Sequence, residues 1–389
     1  MKISYVSHAF YPALNYGGPT ISSYTKCKLL STNGNKVSVI TTTTNGIEKL
    51  DVKNATINKV NNNFSITYYN EQIKKYFSIG FIFNIYNHIR SGELIIIDDL
   101  FSTYSILSIY ISFFLKKKLI VIPRGVLSKW SIKNKKKIIK NIWLNFLIRP
   151  FVNFINWEAT SLLEKKQILL IFPNAKIIVI PNAINIEKYD NIEPLNKSNY
   201  KDQFCNKRNI VSKVIVSMGR LHSVKRFDLV IKSFYKLLQY DQNLNLLIAG
   251  NDAGEKKNLH LLIKKLKLEN NVKFVGYLNF EQKVQFLKGA DMFILMSETE
   301  NFSNVVLEAV VCNLPIIISK GVPWGEIQDN DCGFQIESSE ILLFDSMKTI
   351  LGNTSFYKNK ESFRKIMKKY DTKHIIKFTN ETYRKVISA

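Results

Sequence analysis

Short apolar runs of strand length alternate with longer amphipathic stretches, in two series separated by a polar break. In the first series Lys2–Ser7, Lys36–Thr41, Glu93–Asp98 and Leu119–Pro123 read as buried strands, with helical patterns such as Ile21–Ser31 and Ser102–Leu115 between them. Phe154–Ser161 and Ile177–Pro181 extend that series. The second series has strands at Val214–Met218, Asn245–Ala249, Val272–Val275, Met292–Met296 and Pro315–Ser319. Its helices fall at Asp228–Leu238, Lys257–Leu268, Glu281–Lys288 and Val305–Cys312. Alternation of this kind predicts parallel sheets covered by helices on both faces. The expected class is therefore α/β, with two Rossmann-like domains whose parallel sheets face a cleft and whose ligands bind at the carboxyl ends of the strands. The Asn-, Lys- and Asp-rich stretch from about Asn185 to Lys213 reads as connector and elaboration. It places an N-terminal domain at 1–190 and a C-terminal domain at 191–370. Residues 371–389 are expected to form a helix that returns to the first domain.

A length of 389 residues suits two cores rather than one, and 46% apolar residues can fill them. The four cysteines, Cys27, Cys205, Cys312 and Cys332, are scattered without a C-x-x-C, which argues against a disulfide framework or a zinc site. The formal net charge is +24. Basic residues are spread along the chain with no nucleic-acid module, so compositional bias and proximity to an anionic membrane are preferred over nucleic acid as the explanation. No segment has the length and apolarity of a signal sequence or of a span of about 20 residues.

Two glutamates, Glu300 and Glu308, stand eight positions apart directly after the strand pattern Met292–Ser297. Ser303 and Asn304 are suited to cap a helix carrying Glu308 in its first turns. Amides near such a helix start suit a phosphate, while carboxylates accept from sugar hydroxyls. Helix-dipole complementation explains one such glutamate but not both. Upstream, Gly219-Arg220-Leu-His-Ser-Val-Lys225 follows a strand. Its two cations would stand over the strand end, where they can neutralise a diphosphate without a metal. Alone, that spacing is equally an ordinary basic loop.

In the first domain, His8 follows strand one, and Gly17-Gly18 form a turn able to cradle an anion at the next helix start. This is not a dinucleotide fingerprint. Arg124, in Pro123-Arg124-Gly125, is read two ways: it holds a phosphate or it pairs with an acid. The Lys133–Phe146 stretch is basic and helical, with Ile138, Ile142 and Phe146 on one face. That face is expected to pack on the domain, leaving the lysines to solvent or to an anionic membrane. Asp329-Asn-Asp331 reads as a turn, and the histidines lack metal-ligand spacing.

With these residues in view, the chain resembles the family 4 retaining glycosyltransferases of the GT-B fold. The likeness is strongest over Val214–Phe334 and rests on Gly-Arg-Leu-x3-Lys at 219–225 and Glu-x7-Glu at 300–308. Pro-Arg-Gly-Val-Leu-x-x-Trp at 123–130, Trp-Glu-Ala-Thr-Ser-x-x-Glu at 157–164, Pro181-Asn182-Ala183 and Pro323-Trp324 look like bacterial polysaccharide-assembly members. The resemblance implies that Arg220 and Lys225 bind the donor diphosphate and that Glu300 contacts the transferred sugar. It gives the phosphate to amides near Phe302, Ser303, Asn304 and Val305, and the ribose to Glu308. Gly17, Gly18 and Gly219 would border the diphosphate, with His8 and Arg124 on the acceptor or phosphate side. Lys225-Arg226 replaces the frequent Lys-Gly, and Glu300-Asn-Phe-Ser replaces Glu-Gly-Phe-Gly.

The expected activity is retaining, metal-independent transfer of a sugar from a nucleotide-diphosphate donor to a lipid-linked glycan in cell-surface polysaccharide synthesis. The nucleotide sugar is a co-substrate and no cofactor is expected. Expected partners are the donor, the lipid-linked glycan and an anionic membrane surface, and not nucleic acid. The expected location is cytoplasmic and peripheral, at the inner face of the cell membrane. The rivals are a non-catalytic membrane-associated scaffold with the same fold and a nucleotide-sugar epimerase.

Overall fold

The computed structural model describes residues 1–73, 77–133, 137–205, 213–353, 356 and 359–389. The chain forms two compact units, one of Met1–Ala183 with Thr372–Ala389 and the other of Ile184–Asp371. Lys135 and Lys136 of the basic stretch, and 206–212 of the polar connector, lie outside the described residues.

The first unit is built on strands β1 (Lys2–Ser7), β2 (Lys36–Thr42), β5 (Ile57–Asn61), β6 (Phe64–Tyr69), β7 (Leu94–Asp98), β8 (Lys118–Ile122), β9 (Asn156–Ala159) and β10 (Lys176–Val179). A separate ribbon pairs β3 (Thr44–Asn45) with β4 (Glu48–Lys49). The sheet order is β10-β9-β8-β7-β1-β2-β6-β5. Every pairing is parallel except β5 with β6. All five residues of β7 are buried, as a strand covered on both faces requires. Serines start three of the covering helices: Ser78 caps Ile79–Ser91, Ser102 caps Thr103–Phe114 and Ser161 caps Leu162–Ile171, each accepting a backbone N–H. The last helix, Thr372–Ser388, buries Ile375, Ile376, Tyr383 and Val386 in this unit. It is fastened by polar contacts too: the Tyr383 hydroxyl donates to Glu158 Oε2 at 2.6 Å, and Lys26 pairs with Glu158 Oε1. Glu158 is fully buried, so this carboxylate has no solvent alternative.

The second unit has strands β11 (Lys213–Met218), β12 (Leu244–Ala249), β13 (Val272–Gly276), β14 (Met292–Leu295), β15 (Ile316–Ser319) and β16 (Gly333–Ile336), in the order β13-β12-β11-β14-β15-β16. All are parallel. Phe227–Leu238 packs one side through Val230, Ile231, Phe234 and Leu237, and Asn304–Val311 packs the other through Val306, Leu307 and Val310.

The periodic strands and helices fall within a few residues of their sequence-derived positions. The β5–β6 hairpin, the helix Ile79–Ser91 and β16 have no counterpart in that reading. In the hairpin β6 alternates Phe64, Ile66 and Tyr68 inward, but its partner β5 is mostly Asn and Lys, and β16 is only four residues following a turn, so neither β5 nor β16 presents an apolar period. A second difference concerns the basic segment, where Trp143–Ile148 winds as a π-helix. Ile138 is 75% exposed, Ile142 52% and Phe146 70%, so the expected packing of that face on the domain does not occur. Leu144 and Ile148 supply the buried side instead.

Candidate active site

In each unit the strand order reverses at one place. In the second unit the chain runs outward through β11, β12 and β13, then restarts beside β11 with β14 and continues outward the other way. Diverging connections leave a crevice at the carboxyl ends of β11 and β14. Gly219–Lys225 leaves β11 there, and Ser297–Ser303 leaves β14.

The two loops are joined. The Glu298 N–H donates to the Val224 carbonyl at 2.8 Å, and Lys225 Nζ lies 2.5 Å from Glu300 Oε1. Ser297 Oγ donates to the same carboxylate oxygen at 2.6 Å. The Lys225 and Glu300 side chains are 15% and 13% exposed, so water screens their charges little. Lys225 lies along Gly219: a Cβ added there would come within 3.1 Å of Lys225 Cε. Gly219 therefore lets the lysine stem reach across the strand end. Gly250, at φ 143°, approaches still closer, since a Cβ there would meet the Gly219 carbonyl oxygen at 1.9 Å. Arg220 is exposed on the same loop.

Three further contacts fix the Glu300 loop. The Glu300 N–H donates to the Gly321 carbonyl at 2.9 Å. Trp324 Nε1 donates to the Phe302 carbonyl at 2.5 Å. The buried Phe302 ring packs on Trp324 and Tyr370, with centroids 5.2 and 5.7 Å away. Phe302 therefore offers a ligand its backbone, not its ring. The helix Asn304–Val311 begins immediately afterwards, with Ser303 at its N-cap position. Its side chain does not cap the helix. Ser303 is left-handed (φ 72°, ψ 77°), and a capping serine needs extended backbone to turn its hydroxyl onto the helix amides. Val305 lies in the first turn, and Glu308, one turn on, pairs through Oε1 with Lys283 of the helix Phe280–Lys288. The Glu308 carboxylate is also approached by the Tyr189 hydroxyl. Burial, then the neighbouring Glu308 charge, pushes the Tyr189 hydroxyl pKa upward.

The first unit reverses between β1 and β7. His8 follows β1, nearly buried, with Nε2 3.2 Å from Glu71 Oε1. Tyr104 stacks on the imidazole at 6.0 Å and donates its hydroxyl to Glu71 at 3.0 Å; Tyr16 meets the ring edge-on. Gly17, at φ 78°, turns the chain into the helix Gly18–Thr32, where Gly18 and Pro19 are exposed. Of the two readings of Arg124, the geometry fits the acid pair. Its Nε lies 2.6 Å from Asp98 Oδ1, and Nη2 donates to Ser23 Oγ at 2.8 Å. Tyr5 also donates to Asp98, at 2.7 Å. The Arg124 side chain is 8% exposed, so this guanidinium is committed inside the unit. Glu164, from the Trp157–Glu164 motif, accepts from the Gly125 and Thr160 amides, both at 2.7 Å, and so holds the arginine loop. Asp329 ends a short helix and Asp331 turns left-handed (φ 52°).

The structure thus unites Gly219, Lys225, Glu300 and the Phe302–Val305 backbone in one unit, with Arg220 on the same loop. Ser297, Lys283, Glu71 and Asp98 complete the constellations and were not singled out in the sequence. Ser297 was discernible, three residues before Glu300 at a strand end. The others come from elements distant along the chain and carry no local signal.

Residues 201–374 match the family model described as glycosyl transferases group 1. That match takes in just under half of the chain, nearly all of it in the second unit. Over 148 residues the chain is 35% identical to an uncharacterized glycosyltransferase of Methanocaldococcus jannaschii, covering 36% of this chain and 33% of that protein. It is 27% identical over 249 residues to the N-acetylgalactosamine-N,N'-diacetylbacillosaminyl-diphospho-undecaprenol 4-alpha-N-acetylgalactosaminyltransferase of Campylobacter jejuni, covering 59% and 66%. The matches therefore span between a third and two thirds of these relatives. The Anabaena Alr3699/HepE structure in complex with UDP and glucose superposes with a TM-score of 0.74 at 17% identity, over 99% of this chain and 100% of that one. That likeness extends beyond residues 201–374 to the first unit, and the fold is GT-B, with two Rossmann-like halves.

Proposed function

We propose that this protein is a retaining, metal-independent glycosyltransferase that moves a sugar from a nucleotide diphosphate to a lipid-linked glycan during cell-surface polysaccharide synthesis. The observation that carries this reading is the joining of Lys225 to Glu300 at the switch point of the second unit. A cation, a carboxylate and a helix start in one place suit a sugar diphosphate. Arg220 and Lys225 stabilise the charge that grows on the diphosphate as the sugar–phosphate bond breaks. Glu300 accepts from the sugar and Glu308 from the ribose. The departing phosphate oxygen takes the acceptor hydroxyl proton on the face it leaves, which delivers the sugar with retained configuration and needs no side-chain base.

The Campylobacter relative's name specifies a diphospho-undecaprenol substrate, which supports a lipid-linked acceptor here. Attachment at the cytoplasmic face of the membrane is part of the same reading. No helix among the described residues is long and apolar enough to cross a membrane. The exposed Ile138, Ile139, Ile142 and Phe146 instead lie among Lys129, Lys133, Lys137 and Arg149, a composition suited to an anionic lipid surface.

The test is a panel of UDP-, GDP- and ADP-sugars, scored by thermal shift and by release of the nucleoside diphosphate in the presence of an undecaprenyl-diphosphate-linked sugar. At least one donor is expected to raise the melting temperature and to be consumed. A panel that neither binds nor turns over would overturn the proposal.

A further inference from the structure

The Glu300 loop is supported from behind by the residue that ends the last helix of the second unit. That helix, Lys360–Tyr370, buries Phe363, Ile366 and Met367 and packs on the helix Asn304–Val311. Tyr370 falls one turn further along the same face, and each of its parts has a partner. The ring packs on Trp324 and Phe302, with centroids 4.9 and 5.7 Å away. The hydroxyl donates to Glu326 Oε1, two residues beyond Trp324. The carbonyl accepts the Ile184 N–H at 2.9 Å. Ile184 and Asp371, the two ends of this unit, pair as an isolated bridge. Tyr370 thus ties the ends of the unit to the segment that follows β15. That segment in turn holds the Glu300 loop at two places: Gly321 accepts the Glu300 N–H, and Trp324 donates to the Phe302 carbonyl. The approach is close, since a Cβ added at Gly321 would meet the Glu298 carbonyl oxygen at 2.3 Å.

We propose that Tyr370 is a positioning residue for the transfer step: by clamping Trp324 and Phe302 it fixes the backbone of the Glu300 loop and so sets where the Glu300 carboxylate stands. The inference rests on the glycosyltransferase reading above, in which Glu300 accepts from the transferred sugar. In the free protein Lys225 and Ser297 hold the carboxylate itself. A bound diphosphate competes for the Lys225 ammonium, and the backbone then carries more of the support. That support passes through Gly321 and Trp324, and Tyr370 grips their segment at the Trp324 ring and at Glu326. Replacing the ring by an aliphatic side chain leaves the core apolar but gives the loop room to shift. A shift of about 1 Å in a reacting group costs up to about 10²-fold in rate. Donor affinity is spread over the diphosphate and ribose contacts and is little affected.

The test compares Tyr370→Leu, which removes ring and hydroxyl, with Tyr370→Phe, which removes only the hydroxyl. Phe204→Leu is the control, because Phe204 is buried in the same core but packs on Tyr200 and Phe286. Nucleoside diphosphate release is measured below every variant's melting temperature, with the nucleotide sugar that wild type consumes fastest among UDP-glucose, UDP-galactose, UDP-N-acetylglucosamine, UDP-N-acetylgalactosamine and GDP-mannose. Tyr370→Leu is expected to lower kcat by about 10- to 100-fold, with the donor KM within threefold of wild type. Tyr370→Phe should recover kcat to within threefold, and Phe204→Leu should melt lower yet keep it. In a Glu300→Gln background Tyr370→Leu should cost less than threefold more, since a residue that acts through Glu300 then has no carboxylate to place. Wild-type kcat in Tyr370→Leu overturns the proposal. So does an equal loss in Phe204→Leu, or a loss that persists in full beside Glu300→Gln. Should Tyr370→Leu not fold, Trp324→Phe, which removes the indole N–H held on Phe302, is judged by the same criteria. A wild type that consumes no member of the panel defeats the glycosyltransferase reading and this one with it, whereas an active wild type with an unaffected Tyr370→Leu defeats this one alone.

Discussion

Removing Lys225 separates a structural ion pair from a catalytic cation. In Lys225→Ala, Glu300 keeps Ser297 Oγ at 2.6 Å but loses the ammonium at 2.5 Å. Losing one partner of a fully buried pair costs about 3–5 kcal/mol, and exposed pairs are worth about 0–1 kcal/mol. With the two side chains 15% and 13% exposed, the discounted cost is about 2 kcal/mol. That corresponds to a fall in melting temperature of roughly 4–8 °C for a domain of this size. The kinetic cost is separate. A unit charge about 4 Å from a developing phosphate charge, at an effective dielectric of about 20, is worth about 4 kcal/mol at most. Mutagenesis of comparable groups gives about 10²–10³ in turnover. Residual solvent access argues for the lower end, so turnover in Lys225→Ala should fall about 100-fold. Lys225→Arg, which keeps the charge, should recover most of it. The assay is nucleoside diphosphate release at saturating donor, run well below the variant's melting temperature. Turnover within threefold of wild type, alongside the expected melting shift, would refute the reasoning: the pair would then be structural only.

Three other outcomes are expected. Glu158→Ala should lower the melting temperature of the first unit by about 10 °C or more, because Lys26 and Tyr383 lose their shared buried acceptor at a cost of about 3–5 kcal/mol; a shift under 2 °C would discount the network. Burial lowers the His88 pKa from 6.5 to about 4. The unfolded chain therefore takes up a proton before the native state does, and stability is lost as pH falls from 6.5 towards 4. The stability advantage of wild type over His88→Gln should shrink by about 3 kcal/mol across that window, and a constant difference in denaturant titrations from pH 7 to 4 would contradict it. Replacing Ile142 and Phe146 by glutamate should abolish co-sedimentation with phosphatidylglycerol vesicles while leaving the melting temperature within 2 °C, since both side chains are exposed; undiminished vesicle binding would remove the membrane from the proposal.

Local pattern by itself determined the alternating strands and helices, the two-sheet class and the position of each loop that follows a strand. Apolar periodicity is written residue by residue, so Met292–Leu295 and Asn304–Val311 were legible, and with them the neighbourhood of Glu300 and Glu308. Tertiary structure decided which charges meet. Lys225 finds Glu300 because β11 and β14 lie side by side although 75 residues separate the two side chains. Arg124 is spent on Asp98, and Lys283 on Glu308, for the same reason: an ion pair depends on distance in space, which the spacing of residues along a chain does not encode. The left-handed turn at Ser303 belongs with these. Serine there favours a cap, and it is the clamp from Trp324 and the packed helix that overrules the local preference.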